Sequence, residues 1–199
     1  MNAPARYDSR RYALANRWNP RNFEIIRDWI KPKPGHRILD VGCGRGHLVN
    51  ALRALGVEAE GIDLNPNAAE VAVVARVQTM SATKLDYPDS CFDAVVSFHA
   101  IEHIPDIEAA LREMARVTRP GGDVLLVYPA EPIRGLFAIP TAMILHRNPL
   151  KARRVHVHKF NRARVEQLVD AVGFIPTRSE LRLWPSPEYA TLARKPEAS

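Results

Sequence analysis

The residues best suited to chemistry begin at Asp40-Val41-Gly42-Cys43-Gly44-Arg45-Gly46, where an apolar run ends in three alternate glycines. Glycine adopts a left-handed backbone without penalty and leaves no Cβ in the path of a ligand. A strand entering such a turn, with a helix behind it, is the usual ligand corner of a doubly wound sheet. The spacing discriminates among ligands. A dinucleotide fingerprint requires Gly-x-Gly-x-x-Gly, and the third glycine position is taken by His47. A nicotinamide dinucleotide is thereby disfavoured. The Gly-Lys-Ser/Thr of a phosphate loop is absent as well. The turn suits a nucleoside without a pyrophosphate. Asp63 closes the run Gly61-Ile62-Asp63, 21 residues after Gly42, where a carboxylate can accept hydrogen bonds from both ribose hydroxyls.

Two histidines, His99 and His103, follow the apolar run 92–98. Imidazole titrates near neutrality, so both are candidate general bases. His103 also has a purely structural reading, as a pairing group within the turn Glu102-His103-Ile104-Pro105. His47 could cap the helix after the glycine turn. The two cysteines, Cys43 and Cys91, stand apart from any spaced Cys/His cluster. Neither a disulfide framework nor a zinc site is expected, and no metal is assigned.

The elements that must hold these groups alternate. Residues 8–30 read as a helix, ended by Pro32 and Pro34. Strands are expected at 37–41, 57–64, 77–80, 92–98 and 123–128, and helices at 46–55, 67–76, 107–117 and 161–172. Pro120-Gly121-Gly122 reads as a turn before the fifth strand. Residues 175–183 and 188–195 read as two strands joined so closely that they pair antiparallel. Buried strands alternating with amphipathic helices predict an α/β protein with a doubly wound, mostly parallel, Rossmann-like sheet of seven strands. A length of 199 residues suits one domain. It divides into an N-terminal helical cap (1–35), a cofactor-binding core (36–130), a helical lid insertion (131–160) and a C-terminal helix with its strand pair (161–199).

At these motifs the chain resembles class I S-adenosylmethionine-dependent methyltransferases. Within that superfamily it resembles the small single-domain group that includes the ubiquinone and menaquinone biosynthesis methyltransferases. The resemblance covers residues 36–130 and, more loosely, 158–175. It rests on residues 40–46, Gly61-Ile62-Asp63, the strand Cys91-Phe92-Asp93-Ala94-Val95-Val96, the segment Glu102-His103-Ile104-Pro105-Asp106, and the turn Arg119-Pro120-Gly121-Gly122. It implies S-adenosylmethionine as cofactor. Asp40 with the turn Gly42, Cys43, Gly44 and Gly46 would hold the methionine moiety. Asp63 would hold the ribose, and Leu64 would pack on the adenine. Ser81 and Ala82 would meet the adenine edge; Ser81 stands where many relatives have an aspartate and is the weaker acceptor. Phe98 or His99 would line the sulfonium pocket.

Charge is unevenly distributed. Residues 1–37 carry nine Lys/Arg against three Asp/Glu, residues 38–131 seven against fourteen, and residues 132–164 eight against none. Two basic attachments on an acidic body point to an anionic partner. The apolar segment 133–145, followed by Arg147, Lys151, Arg153 and Arg154, has the pattern of an interfacial element. It reads either as peripheral contact with an anionic membrane or as a lid over the acceptor pocket. The N-terminus has no secretory signal and no segment is long enough to span a bilayer, so a cytoplasmic protein is expected. The expected acceptor is a small or lipid-like molecule. RNA or another nucleic acid is the competing partner, and the basic patches keep RNA open. Nucleic acid is disfavoured because Ser97-Phe98-His99-Ala100 replaces the Asn/Asp-Pro-Pro-Tyr/Phe loop of amino-methylating DNA enzymes, and because no Pro-Cys nucleophile occurs. A protein that binds the cofactor without turnover is the remaining alternative.

Overall fold

The computed structural model describes residues 10–15, 19–130, 157–183 and 186–198. In chain order the elements are α1 (Arg10–Ala15), α2 (Pro20–Ile25, continued by a π-helical turn Ile26–Ile30), β1 (Arg37–Val41), α3 (His47–Arg53), β2 (Glu58–Asp63), α4 (Pro66–Glu70), β3 (Val77–Thr79) and β4 (Phe92–Phe98). A 3-10 turn (Ile101–His103) leads to α5 (Ile107–Val117), β5 (Thr118–Pro129), α6 (Arg162–Ala171), β6 (Ile175–Arg182) and β7 (Glu188–Arg194). The seven strands form one sheet in the order β3-β2-β1-β4-β5-β7-β6. All neighbours run parallel except at β7, which is antiparallel to both β5 and β6.

The alternation of strand side chains builds two cores. On β5, Val124, Leu126 and Tyr128 face one side, where Leu111 and Met114 of α5 and Val165 and Val169 of α6 cover them. Leu125 and Val127 face the other, against Leu48, Val49 and Leu52 of α3 and Ile25 and Ile26. Burying each such side chain contributes about 1.5–3 kcal/mol. Asp106 starts α5 by accepting from the Ala109 amide at 3.0 Å, and Asn161 does the same for α6 through Arg164 at 2.9 Å. Such caps satisfy backbone donors that the first turn leaves over.

The structure differs from sequence expectation in three places. The helix expected over 8–30 is interrupted: α2 starts afresh at Pro20, capped by the Asn19 side chain on the Arg21 amide. Proline fits the first helical turn, where its missing N–H is not needed. The helix expected over 67–76 is only Pro66–Glu70. Pro120-Gly121-Gly122 lies within β5, as an irregularity between the pairs Phe92–Thr118 and Ala94–Asp123. Gly122 packs so closely there that a Cβ would lie 2.8 Å from the Asp93 carbonyl oxygen.

Among the described residues no helix is long and apolar enough to cross a membrane, and no group of three or more His, Cys, Asp or Glu side chains could hold a metal. The expected lid and its basic cluster, including Arg147, Lys151, Arg153 and Arg154, fall almost wholly outside the described residues. The described residues stop at Ala130, beyond the carboxyl end of β5, and resume at Val157, whose amide donates to the Glu102 carbonyl at 3.0 Å. Both described ends therefore flank the exits of β4 and β5.

Candidate active site

β1 and β4 are adjacent although four elements separate them in sequence, so the chain turns to opposite sides of the sheet at their carboxyl ends. Ligands bind at such switch points. Gly42, Gly44 and Gly46 have φ of 78°, 52° and 74°, which an L side chain adopts only with strain. The Gly42 position is also filled: a Cβ there would lie 2.2 Å from the Ala100 Cβ, just past β4. The turn is fastened to β2 by the Gly42 and Cys43 amides, which donate to the Ile62 carbonyl at 2.8 and 3.0 Å.

Asp63 locks the far side. Its Oδ2 accepts from the Gly44 amide and its Oδ1 from the Asn65 amide, both at 2.9 Å. Burial raises its pKa, and those two amides pull it back. Asp40, 4% exposed, is pushed up to about 8 by burial first and by the Asp63 charge second. Two carboxylates thus converge in a poorly solvated corner, an arrangement that a cation would relieve. Leu64, beside them, is 73% exposed and offers an apolar face. The Met80 amide donates to the Asp63 carbonyl at 3.0 Å, bringing Ser81 and Ala82 alongside. The Ser81 hydroxyl sits 2.8 Å from that of Thr83.

Burial and the charges of Asp40 and Asp63 push the Cys43 thiol well up. It is therefore not a thiolate nucleophile. Burial, then the Arg45 charge, lowers the pKa of His47, the first residue of α3.

The exit of β4 carries the second half of the site. Phe98 ends the strand, half-buried against the α3-side core. His99 follows with φ of 53°, a left-handed backbone held by its amide's bond to the Val127 carbonyl at 2.8 Å. Its Nε2 lies 2.8 Å from Glu188 Oε2 and its Nδ1 lies 3.7 Å from Glu102 Oε1. His103 Nε2 is 3.9 Å from the same Glu102 oxygen. Glu102 and Glu188 are 1% and 3% exposed. The structure therefore places Asp40, the glycine turn, Asp63, Leu64, Ser81 and Ala82 along the ends of β1 to β3, and Phe98, His99 and His103 at the end of β4. Sequence reasoning missed Glu188. It opens β7, 89 residues from His99, and no local pattern marks it.

This sheet order, with a glycine turn after β1 and an acidic residue ending β2, defines a class I S-adenosylmethionine-dependent methyltransferase. The family profile described as a methyltransferase domain matches residues 7–178, and the chain belongs to that family. It is 36% identical over 137 residues to the ubiquinone biosynthesis O-methyltransferase of Xanthomonas campestris pv. campestris (strain B100), covering 57% of this chain and 56% of that protein. The chain thus spans little more than half the length of this curated relative. Among solved structures it resembles the [4+2]-cyclase SpnF, with a TM-score of 0.73, 18% identity, and coverage of 89% of this chain and 81% of that one. It also resembles the Haemonchus contortus phosphoethanolamine N-methyltransferase 2 bound to phosphomonomethylethanolamine and S-adenosylhomocysteine. There the TM-score is 0.71 and the identity 20%, with coverage of 89% and 53%. At such identities the likeness concerns the fold alone.

Proposed function

We propose that this chain transfers the methyl group of S-adenosylmethionine to a hydroxyl oxygen of a small, quinone-like acceptor. The observation that carries this reading is the pair of carboxylates, Asp40 and Asp63, joined across the glycine turn by the Asp63–Gly44 bond. The residues fit the cofactor. The sulfonium and ammonium groups are cationic, and Asp40 with Asp63 forms an underneutralised anionic corner. Asp63 would accept from the ribose hydroxyls, Leu64 would lie under the adenine, and Ser81 and Ala82 would flank its edge. Gly42, Cys43, Gly44 and Gly46 would let the methionine part approach the backbone, with Phe98 closing the pocket. The O-methyltransferase named among the relatives supports oxygen as the acceptor atom.

The bound cofactor supplies a methyl group already activated by its positive sulfur. What the protein must add is alignment, which can supply ~7–11 kcal/mol, and a group to take the acceptor's proton. His99 and His103 are the two imidazoles at the exit of β4. The test is turnover with S-adenosylmethionine and a panel of phenols, catechols and prenylated catechols. Replacing the imidazole that acts as base is expected to lower turnover by ~10²–10⁴ while cofactor affinity stays constant. Cofactor binding with no methyl release to any oxygen acceptor would overturn the proposed reaction.

A pH dependence follows from Asp40. Below about 8 its carboxyl is protonated in the ligand-free protein, and a neighbouring cation favours the ionised form. Binding therefore releases a proton. Affinity is expected to rise by up to about tenfold per pH unit as pH approaches 8, then level off. Stability of the ligand-free protein runs the other way. The folded pKa lies above the ordinary 3.8, so the folded state holds the proton that the unfolded state has lost, and stability falls as pH rises between these values. Calorimetry in buffers of different ionisation enthalpy counts the proton. Asp40→Asn should bind weakly without this pH slope and should melt higher than wild type at pH 8. An identical slope in Asp40→Asn would assign it to another group.

A further inference from the structure

We propose that Glu188 is a positioning residue that sets His99 as the proton acceptor of the reaction. The inference rests on the methyl-transfer reading and assigns a role to the C-terminal strand, which none of the nucleoside-binding motifs reaches.

A carboxylate only accepts hydrogen bonds. At 2.8 Å from Glu188 Oε2, the His99 Nε2 must therefore carry the hydrogen. In the neutral ring this leaves the lone pair on Nδ1. The partner is itself held. Glu188 Oε1 accepts from Arg182 Nη1 at 3.1 Å on the adjoining strand β6, so the carboxylate cannot turn away from the imidazole. The backbone of His99 is held too, in its left-handed conformation, by the Val127 carbonyl on β5. A ring fixed at its backbone and at one nitrogen has its other nitrogen defined. Among the described residues, the groups around it include Glu188 from β7, with Arg182 behind it, and Glu102 and His103 from the 3-10 turn. Strained backbone at a ligand end of a sheet is a common mark of a functional position. An acid that selects the tautomer of a catalytic imidazole is an established division of labour between two side chains.

The proton balance is simple. The acceptor's O–H bond breaks and its hydrogen forms a bond to Nδ1, giving an imidazolium that Glu188 stabilises. The oxygen's electron pair forms the new O–CH3 bond, and the S–CH3 electron pair stays on sulfur as a neutral thioether. The imidazolium then returns its proton to water.

The experiment uses the full chain, 15N-labelled, with long-range 1H–15N correlation of the histidine rings, assigned through a His99→Asn spectrum. Turnover with catechol, catechol KM, and S-adenosylmethionine affinity by calorimetry are measured alongside. Wild type is expected to show the Nε2–H form of His99. Glu188→Gln can both donate and accept, so the ring should become a mixture containing the Nδ1–H form. Its kcat should fall by about 10², within the range of general-base catalysis, at unchanged KM and cofactor affinity. Glu188→Asp, which keeps the carboxylate, should restore the Nε2–H form and part of the rate. An Nδ1–H ring in wild type overturns the proposal. So does an unchanged ring state or kcat in a folded Glu188→Gln protein, even if its melting temperature drops. Failure of wild type to methylate catechol counts against the methyl-transfer reading, while the ring spectra still decide the role of Glu188.

Discussion

Gly42→Ala is expected to remove detectable S-adenosylmethionine binding and to lower the melting temperature. Two independent penalties coincide at this position. With φ at 78°, any L side chain costs about 1–2 kcal/mol. The added Cβ would also stand 2.2 Å from the Ala100 Cβ, and overpacking of that kind costs ~1–3 kcal/mol. Ala100 cannot swing aside, because its Cβ is bonded directly to the backbone leaving β4. The turn must move instead, and it carries the amide of Gly44 and the bonds to Ile62. At ~2–4 °C per kcal/mol for a chain of this size, the melting temperature should fall by several degrees or more. The double variant Gly42→Ala/Ala100→Gly relieves the overlap but not the φ strain. It should recover part of the stability and part of the affinity. Calorimetry and thermal melting of these two variants, of the single variant Ala100→Gly and of wild type form a cycle whose coupling reads the contact directly. Wild-type binding by Gly42→Ala would show that the turn does not approach the ligand.

Asp63→Ala should have the next largest effect. The substitution removes two things together: the expected acceptor for the ribose hydroxyls, and the clasp that holds the Gly44 and Asn65 amides. Each hydrogen bond to a charged group contributes ~1.5–3 kcal/mol, so the loss of two should lower affinity by roughly 10²–10⁴-fold, at tenfold per 1.4 kcal/mol. Asp63→Asn keeps one acceptor oxygen and should fall between the two. The Asp40 carboxyl offers a second readout. Part of its upward shift comes from the Asp63 charge, so the midpoint of the pH-dependent binding should move down in either variant. A midpoint that stays in place would mean that the two carboxylates do not interact. NADH should not bind wild type with comparable affinity.

The parts legible in the sequence are those whose cause is local. Three alternate glycines after an apolar run announce a left-handed turn, because only glycine adopts that backbone freely, and all three have positive φ. The acid closing β2 was legible from its spacing. The Leu111, Met114 and Val117 stripe of α5 follows from helical periodicity, and the pairing of β6 with β7 from their short connection. Local signals also misled where a neighbour outweighed them. Pro120-Gly121-Gly122 has the composition of a turn, yet β5 runs through it as an irregularity against β4.

Sequence by itself thus determined the α/β class, the glycine turn, its acidic partners and the two histidines past β4. Only the tertiary structure decided that β7 enters the sheet between β5 and β6. That insertion carries Glu188 to His99 and joins the end of the chain to the site. The physical reason lies in the ladder. Backbone hydrogen bonds between strands are the same whatever the side chains, so strand order is settled by which faces can be buried together. A contact spanning 89 residues then inherits its existence from that packing, and neither residue type nor local spacing announces it.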